Sequence, residues 1–467
     1  VADGRDNLSG LGLQVNMEEK RENKMGVLPI KRLIITMSLP MMISMIVQAL
    51  YNVVDSIFVA KINENALTAV TLAFPLQSLM ISVGSGIGVG INALLSRSLG
   101  EKKYEKSDSA ANTGILMTFI SFIIFVFVGI FLAGPFIQSQ TDVSEIISFG
   151  TTYLRIVNCL SIGVFFQMTF ERLLQSTGKT IFSMVSQATG AIVNIIMDPI
   201  LIFGLLGAPR LGVAGAAYAT VMGQVIAACI GLILNLKYNR EIHFSFNKIL
   251  HPKGSTIKEI LIVGIPSMAM MSIGSVMTYM MNKILIVFST TATAVFGVYF
   301  KLQSFFFMPV FGLNNGLIPV IAYNYGARSK KRIIEALKFS VFLAVFIMAV
   351  GTVVFETVPG MLLTLFNASD QMKEIGIPAL RIICLSFPVA GCCIVLGSTF
   401  QAFAKSTYAL VVSVGRQLVV LIPAAWLLSK TGNINNVWWA FVIAEGASLI
   451  LSVVMFNRIK KKLIDTL

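Results

Sequence analysis

Twelve apolar runs, each close to or beyond the length that crosses a bilayer, succeed one another between short polar breaks along a chain of 467 residues. A helix needs about 20 mostly apolar residues to traverse hydrocarbon while satisfying its own backbone. The chain is therefore expected to fold as an all-α integral membrane protein. The runs are read at 33–60, 66–97, 110–134, 146–171, 179–206, 212–236, 258–288, 292–322, 333–357, 374–401, 406–429 and 437–457. None alternates at the period of two that a porin-type barrel strand would show. A hydrophobic content of 56%, only 12% charged residues and a mean hydropathy of +0.82 exclude an ordinary water-soluble domain.

The formal charge of +14 would suit nucleic acid if it lay on one soluble face, but the basic residues sit in the connections between runs, so no nucleic-acid partner is expected. Topology accounts for them better. With the N-terminus cytoplasmic, the inner segments hold 25 Lys and Arg, whereas the outer ones hold four, Lys61, Arg210, Lys373 and Lys430. Under the positive-inside rule this places both termini in the cytoplasm of a multi-pass plasma-membrane protein. The first sixteen residues, VADGRDNLSGLGLQVN, have neither an initiator Met nor an apolar signal core and are expected to be an expression remnant ahead of Met17. Cys159, Cys229, Cys384, Cys392 and Cys393 all lie in apolar runs and read as packing residues. His243 and His251 lie in one connection, so no histidine-based metal or catalytic site is expected in the membrane, and no P-loop is present.

The chain repeats itself. Pro40 matches Pro266, LQS at 76–78 matches 302–304, Gly86 and Gly90 match Gly312 and Gly316, Gly100 matches Gly326, and LRI at 154–156 matches 380–382, each pair 226 residues apart (266 − 40). A six-span unit has been duplicated, and because six is even both copies run in the same direction, as parallel repeats do. The expected organisation is an N-terminal cytoplasmic tail over 1–32, an N-lobe over 33–236, a cytoplasmic linker over 237–257, a C-lobe over 258–457 and a tail over 458–467. The glycines of GSGIGVG at 84–90 lie inside a span, where small residues let helices approach, and not in a phosphate loop.

Acids inside spans are costly, roughly 2.5–3.5 kcal/mol at a helix centre on insertion scales, and imply a task. Asp198 lies in NIIMDPILIF with Asn194 one turn earlier on its face. The first span carries Gln48, Asn52 and Asp55 as a polar stripe, with Tyr51 between them and Pro40 as a potential hinge. Thr220 in the sixth span offers a hydroxyl. Together these groups form a candidate N-lobe site for a proton or small cation, Na⁺ being held at Asp55, Asn194 and Asp198. The second copy has Met281 and Ala424 at the equivalent positions (55 + 226 and 198 + 226), so the acids are kept on one side only. Glu445 is a secondary candidate. Lys283, Lys301 and Arg416, also inside C-lobe spans, either line a cavity, pair with Glu445 or snorkel.

The segments NVVDSIFVAKI, LGEKKYEKSDSAANTG, LLQSTGKT, NIIMDPILIFG and LGVAGAAYAT resemble the multidrug and toxic compound extrusion (MATE) family, and more loosely its MepA-type bacterial branch. The resemblance implies twelve helices in two six-helix lobes around a V-shaped central cavity. It implies export of amphipathic, often cationic, drugs in exchange for H⁺ or Na⁺ by alternating access, with no cofactor. It places the essential first-span acid at Asp55, the Asn-x-x-x-Asp pair at Asn194 and Asp198, the bending proline at Pro40, and cavity-facing positions at Gln48 and Tyr51; Thr220 matches less closely. Some branches carry a seventh-span acid where this chain has Asn282 and Lys283. A monomer in contact with membrane lipid is expected. The alternatives are a flippase for a lipid-linked precursor, which would favour a basic cavity, and an intramembrane enzyme using the two aspartates as a dyad.

Overall fold

The computed structural model describes residues 23–366 and 368–467, and among them there is no strand. The elements run α1 (Lys24–Val27), α2 (Ile30–Ala60), α3 (Glu64–Gly100), α4 (Tyr104–Phe131), α5 (Ala133–Gln138), α6 (Ser144–Cys159), α7 (Ile162–Ser176), α8 (Thr180–Phe203) and α9 (Val213–Tyr238). After α10 (Phe246–Leu250) come α11 (Gly254–Leu285), α12 (Thr290–Gly326), α13 (Lys330–Thr357), α14 (Pro359–Thr364), α15 (Asp370–Cys384), α16 (Phe387–Ala402), α17 (Ser406–Val414), α18 (Ile422–Ser429) and α19 (Ile434–Ile459). Ten helical segments are long and apolar enough to span, and two bent pairs bring the number to twelve. The segment 1–16, expected to be an expression remnant, lies outside the described residues.

The fourth and tenth runs, read as unbroken at 146–171 and 374–401, are each two helices: α6 and α7 meet at 46°, α15 and α16 at 50°. The breaks fall at Ser161 and Ser386, 225 residues apart (386 − 161), so the bend belongs to the repeated unit. In the second copy a proline, Pro388, opens α16 and cannot donate to the preceding turn. An eleventh-run irregularity has a similar origin. The helix widens to a π-turn over Gly415–Leu421 immediately before Pro423, whose missing N–H interrupts the ordinary ladder.

The two lobes meet along a seam at one end of the molecule, the terminal end, where α2 and α11 begin and α3 and α12 finish. A side-chain carbon on Gly90 would overlap the Ile260 carbonyl of α11, and one on Gly316 would overlap the backbone of Met37 and Ser38 in α2. Gly100 and Gly326 do the same reciprocally, against the carbonyls of Tyr323 and Arg97. The matched glycines of the two copies are thus the points of closest approach between lobes, and the Arg97 guanidinium lies 5.0 Å from the centre of the Tyr325 ring across the seam.

The opening helix of each lobe begins in the other lobe. Ile30, Leu33, Ile34 and Met37 of α2 are buried in the C-lobe core with Val310, Leu313 and Leu317. Ile260 of α11 is buried in the N-lobe core with Ile87, Ile91 and Leu94. Pro40 stands where α2 leaves the C-lobe for its own. The carbonyl of Thr36, which a proline four residues on cannot serve, accepts instead from the Thr180 hydroxyl of α8 at 3.3 Å.

The segment before α2, expected as tail, is docked. Asn23 donates to the Thr177 carbonyl of the N-lobe and to Glu241 Oε1 of the linker, both at 3.1 Å. Arg332 of the C-lobe donates to the carbonyls of Met25 and Leu28, both at 2.9 Å. Met25 is fully buried in the C-lobe core, so an apolar anchor inside a polar clasp holds the segment across the seam.

Candidate functional site

Helices α2, α8 and α9 build the site. The buried face of α8 carries Ser183, Ser186, Gly190, Ala191, Asn194 and Asp198, a stripe of small and polar groups at helical spacing. Its smallness draws α9 close: a side chain on Gly190 would press on Gly223, and one on Gly223 would meet the Gly190 carbonyl and Asn194. That approach lets Asn194 Nδ2 donate to Thr220 Oγ1 at 3.3 Å. One turn further along α8, Asp198 is fully buried, directly before Pro199.

On α2, Asp55 faces Asp198, the two carboxyl groups lying close together. Neither Asp198 oxygen, nor Asp55 Oδ1, nor Asn194 Oδ1 accepts a hydrogen bond from any described residue. Buried acceptors without donors are costly, and two like charges side by side in low dielectric add repulsion. One positive charge between them would relieve both. Among the described residues no group of three or more His, Cys, Asp or Glu could hold a metal ion, so the oxygens available are two carboxyls, one amide and one hydroxyl.

The remaining expected residues divide. Tyr51 lies near enough to feel the charge of both acids. Gln48 Oε1 accepts from Gln187 Nε2 of α8 at 3.0 Å, tying α2 to α8 two turns below Asp55. Asn52 is exposed and makes no side-chain hydrogen bond among the described residues, so the structure does not bring it into the cluster; only its carbonyl is used, by Ser56. Three residues went unnoticed in the sequence. Tyr153 of α6 is buried against the same acids and donates to Gln77 Oε1 of α3 at 3.5 Å, and Gln187 completes the contact with Gln48. Each is a polar side chain within a spanning run, which was the available signal.

In the C-lobe, Arg416 Nη1 donates to Glu445 Oε1 at 2.5 Å, and Glu445 Oε2 is buried without a donor. Of the readings open for the C-lobe cations, pairing holds for Arg416. Lys283 instead lies 5.6 Å from the centre of the Tyr279 ring.

The MatE family model matches residues 40–200 and 266–427, covering the two copies in turn from Pro40 and from Pro266. The chain belongs to the MatE family. Among its relatives, the multidrug export protein MepA of Staphylococcus haemolyticus is 26% identical over 427 residues, 91% of this chain and 93% of the relative. The protein of the same name from Staphylococcus aureus is 24% identical over 440 residues, 94% and 96% of the two chains. Among solved structures, an outward-facing conformation of a multidrug resistance MATE family transporter superposes with a TM-score of 0.88 at 23% identity, covering 96% of this chain and 99% of that one. The MatE fold is thus shared over nearly the whole chain.

Proposed function

We propose that this protein is a multidrug exporter of the plasma membrane that works by alternating access and exchanges amphipathic, often cationic, compounds for H⁺ or Na⁺. The observation that carries the reading is the Asp55–Asp198 pair, two acids on different helices whose buried oxygens meet no donor and which have no ion-pair partner among the described residues. Relatives named multidrug export protein along nearly the whole chain support the substrate class. The site is served either by a cation of the gradient or by the charge of a drug, and competition between them couples the two flows.

In this reading the end with the chain termini is cytoplasmic, and the glycine seam closes the cytoplasmic side while the V opens outward. Loading Asp55 and Asp198 with a cation removes their mutual repulsion and lets α2 bend at Pro40, expelling the drug. The flippase alternative needs a basic cavity, and the neutralisation of Arg416 by Glu445 weakens it.

The test is efflux of a fluorescent organic cation from proteoliposomes under an imposed pH or Na⁺ gradient. Gradient-driven transport by the parent and none by Asp198→Asn supports the reading. Unchanged coupling in Asp198→Asn overturns the site, movement of a phosphorylated lipid without drug transport favours the flippase, and peptide cleavage favours the enzyme.

A further inference from the structure

A recess of about 630 Å³ opens where the start of α11, from the C-lobe, lies against the start of α4, from the N-lobe. Four lysines line it, Lys102, Lys103, Lys106 and Lys253, against two acids, Glu105 and Glu259, a net charge of +2 (4 − 2). Lys106 is matched by Glu259 at 2.8 Å and Lys103 by Glu101 at 2.8 Å. Lys102 and Lys253 are exposed and have no ion-pair partner among the described residues. The floor is polar, with Ser109 and Thr256 joined hydroxyl to hydroxyl at 3.0 Å. Both helices begin here without a side-chain cap. Lys102 also holds the left-handed backbone, with φ of 59°, which turns the chain sharply at the mouth of the recess.

We propose that this recess binds a phosphate group, carried by an anionic phospholipid of the leaflet at the terminal end. The position fits such a headgroup: the recess sits where two membrane-spanning helices emerge at the lipid–water boundary, and lysine-rich pockets between spans at that level recognise phosphate headgroups. Lys102 and Lys253 supply the charge the acids leave unmatched, and the hydroxyls supply donors. Because one wall comes from each lobe, the phosphate is gripped only while α4 and α11 keep their present spacing, so the lipid stabilises the closed seam.

Native mass spectrometry of the detergent-solubilised protein tests this, titrating phosphatidylglycerol, phosphatidylcholine and glycerol phosphate separately. The expected result is preferential retention of one phosphatidylglycerol. In the Lys102→Gln/Lys253→Gln double variant its affinity falls roughly 30-fold, from about 1 kcal/mol for each lysine at the surface. The Lys102→Arg/Lys253→Arg variant retains it. Both lysines are exposed, so an unchanged thermal transition verifies that the variants are folded. Glycerol phosphate binding as tightly as the lipid, with the same loss in the Gln variant, supports the phosphate chemistry and assigns a soluble source. Equal retention of phosphatidylglycerol and phosphatidylcholine, or undiminished binding by the Gln variant, overturns the proposal.

Discussion

Asp55 on α2 and Asp198 on α8 present their carboxyl groups to each other, and among the described residues no basic side chain pairs with either. In water such a pair would be harmless. In low dielectric two like charges so close repel, and one positive charge between them would relieve both.

If the two act as a unit, their substitutions do not add. Asp55→Asn and Asp198→Asn should each abolish gradient-driven efflux, and the double variant should lose no more than the worse single one. Initial rates in proteoliposomes decide it. Additive partial losses would mean two independent sites.

The glycine seam predicts a steric wedge. Gly90→Val and Gly316→Val place carbons on the Ile260 carbonyl and the Ser38 backbone, neither of which can turn aside. Each should hold the lobes apart at the terminal end. Spin labels on α3 and α12 near the seam should report a longer distance than in the parent, while Gly254→Ala, which meets nothing, should leave it unchanged.

Glu445 is buried and pairs with Arg416, whose side chain is 29% exposed, and the consequence is asymmetric. Arg416→Met alone strands a charge and should cost about 3–5 kcal/mol, whereas Arg416→Met/Glu445→Met should be close to neutral. Thermal unfolding in detergent separates the two. Equal destabilisation by both would show that the pair contributes net stability of its own.

Acid pH should loosen the seam through Glu101. Burial pushes its carboxyl up, but hydrogen bonds from Lys103 and Arg97 outweigh burial and hold it below the usual glutamate range. Its contribution is therefore complete at neutral pH and is lost as pH falls through the lowered value. Partial exposure limits it to about 1 kcal/mol or less. The Arg97–Tyr325 contact should weaken only at a pH below that at which an ordinary glutamate titrates, as read by spin-label distance across the seam, and Glu101→Gln should abolish that dependence.

The spans, the duplication and the two acids were legible because the bilayer imposes a length and a penalty that sequence displays directly. The Gly86–Gly90 motif was legible as helix packing for the same reason, although its partner, a helix of the other lobe, was not. The bend at Ser161 lies between two half-spans that read as one apolar run, and no proline marks it. Asn52 shares a helix with Asp55, yet its side chain is exposed, since a helical stripe says which residues lie together and not which neighbour they meet. Tyr153, Gln77 and Gln187 needed the packing of α3, α6 and α8, which hydrophobicity does not encode.

The exchange of opening helices between lobes bears on how such a molecule arose. Two copies of one six-helix protein lying side by side about a two-fold axis, each lending its first helix to the partner's core, would make the same reciprocal contacts, including Gly100 on Tyr323 and Gly326 on Arg97. Fusion of that swapped homodimer into one chain preserves the arrangement and frees the halves to diverge. A half expressed alone would carry an unfilled groove and an unsheltered helix, and would be expected to pair again.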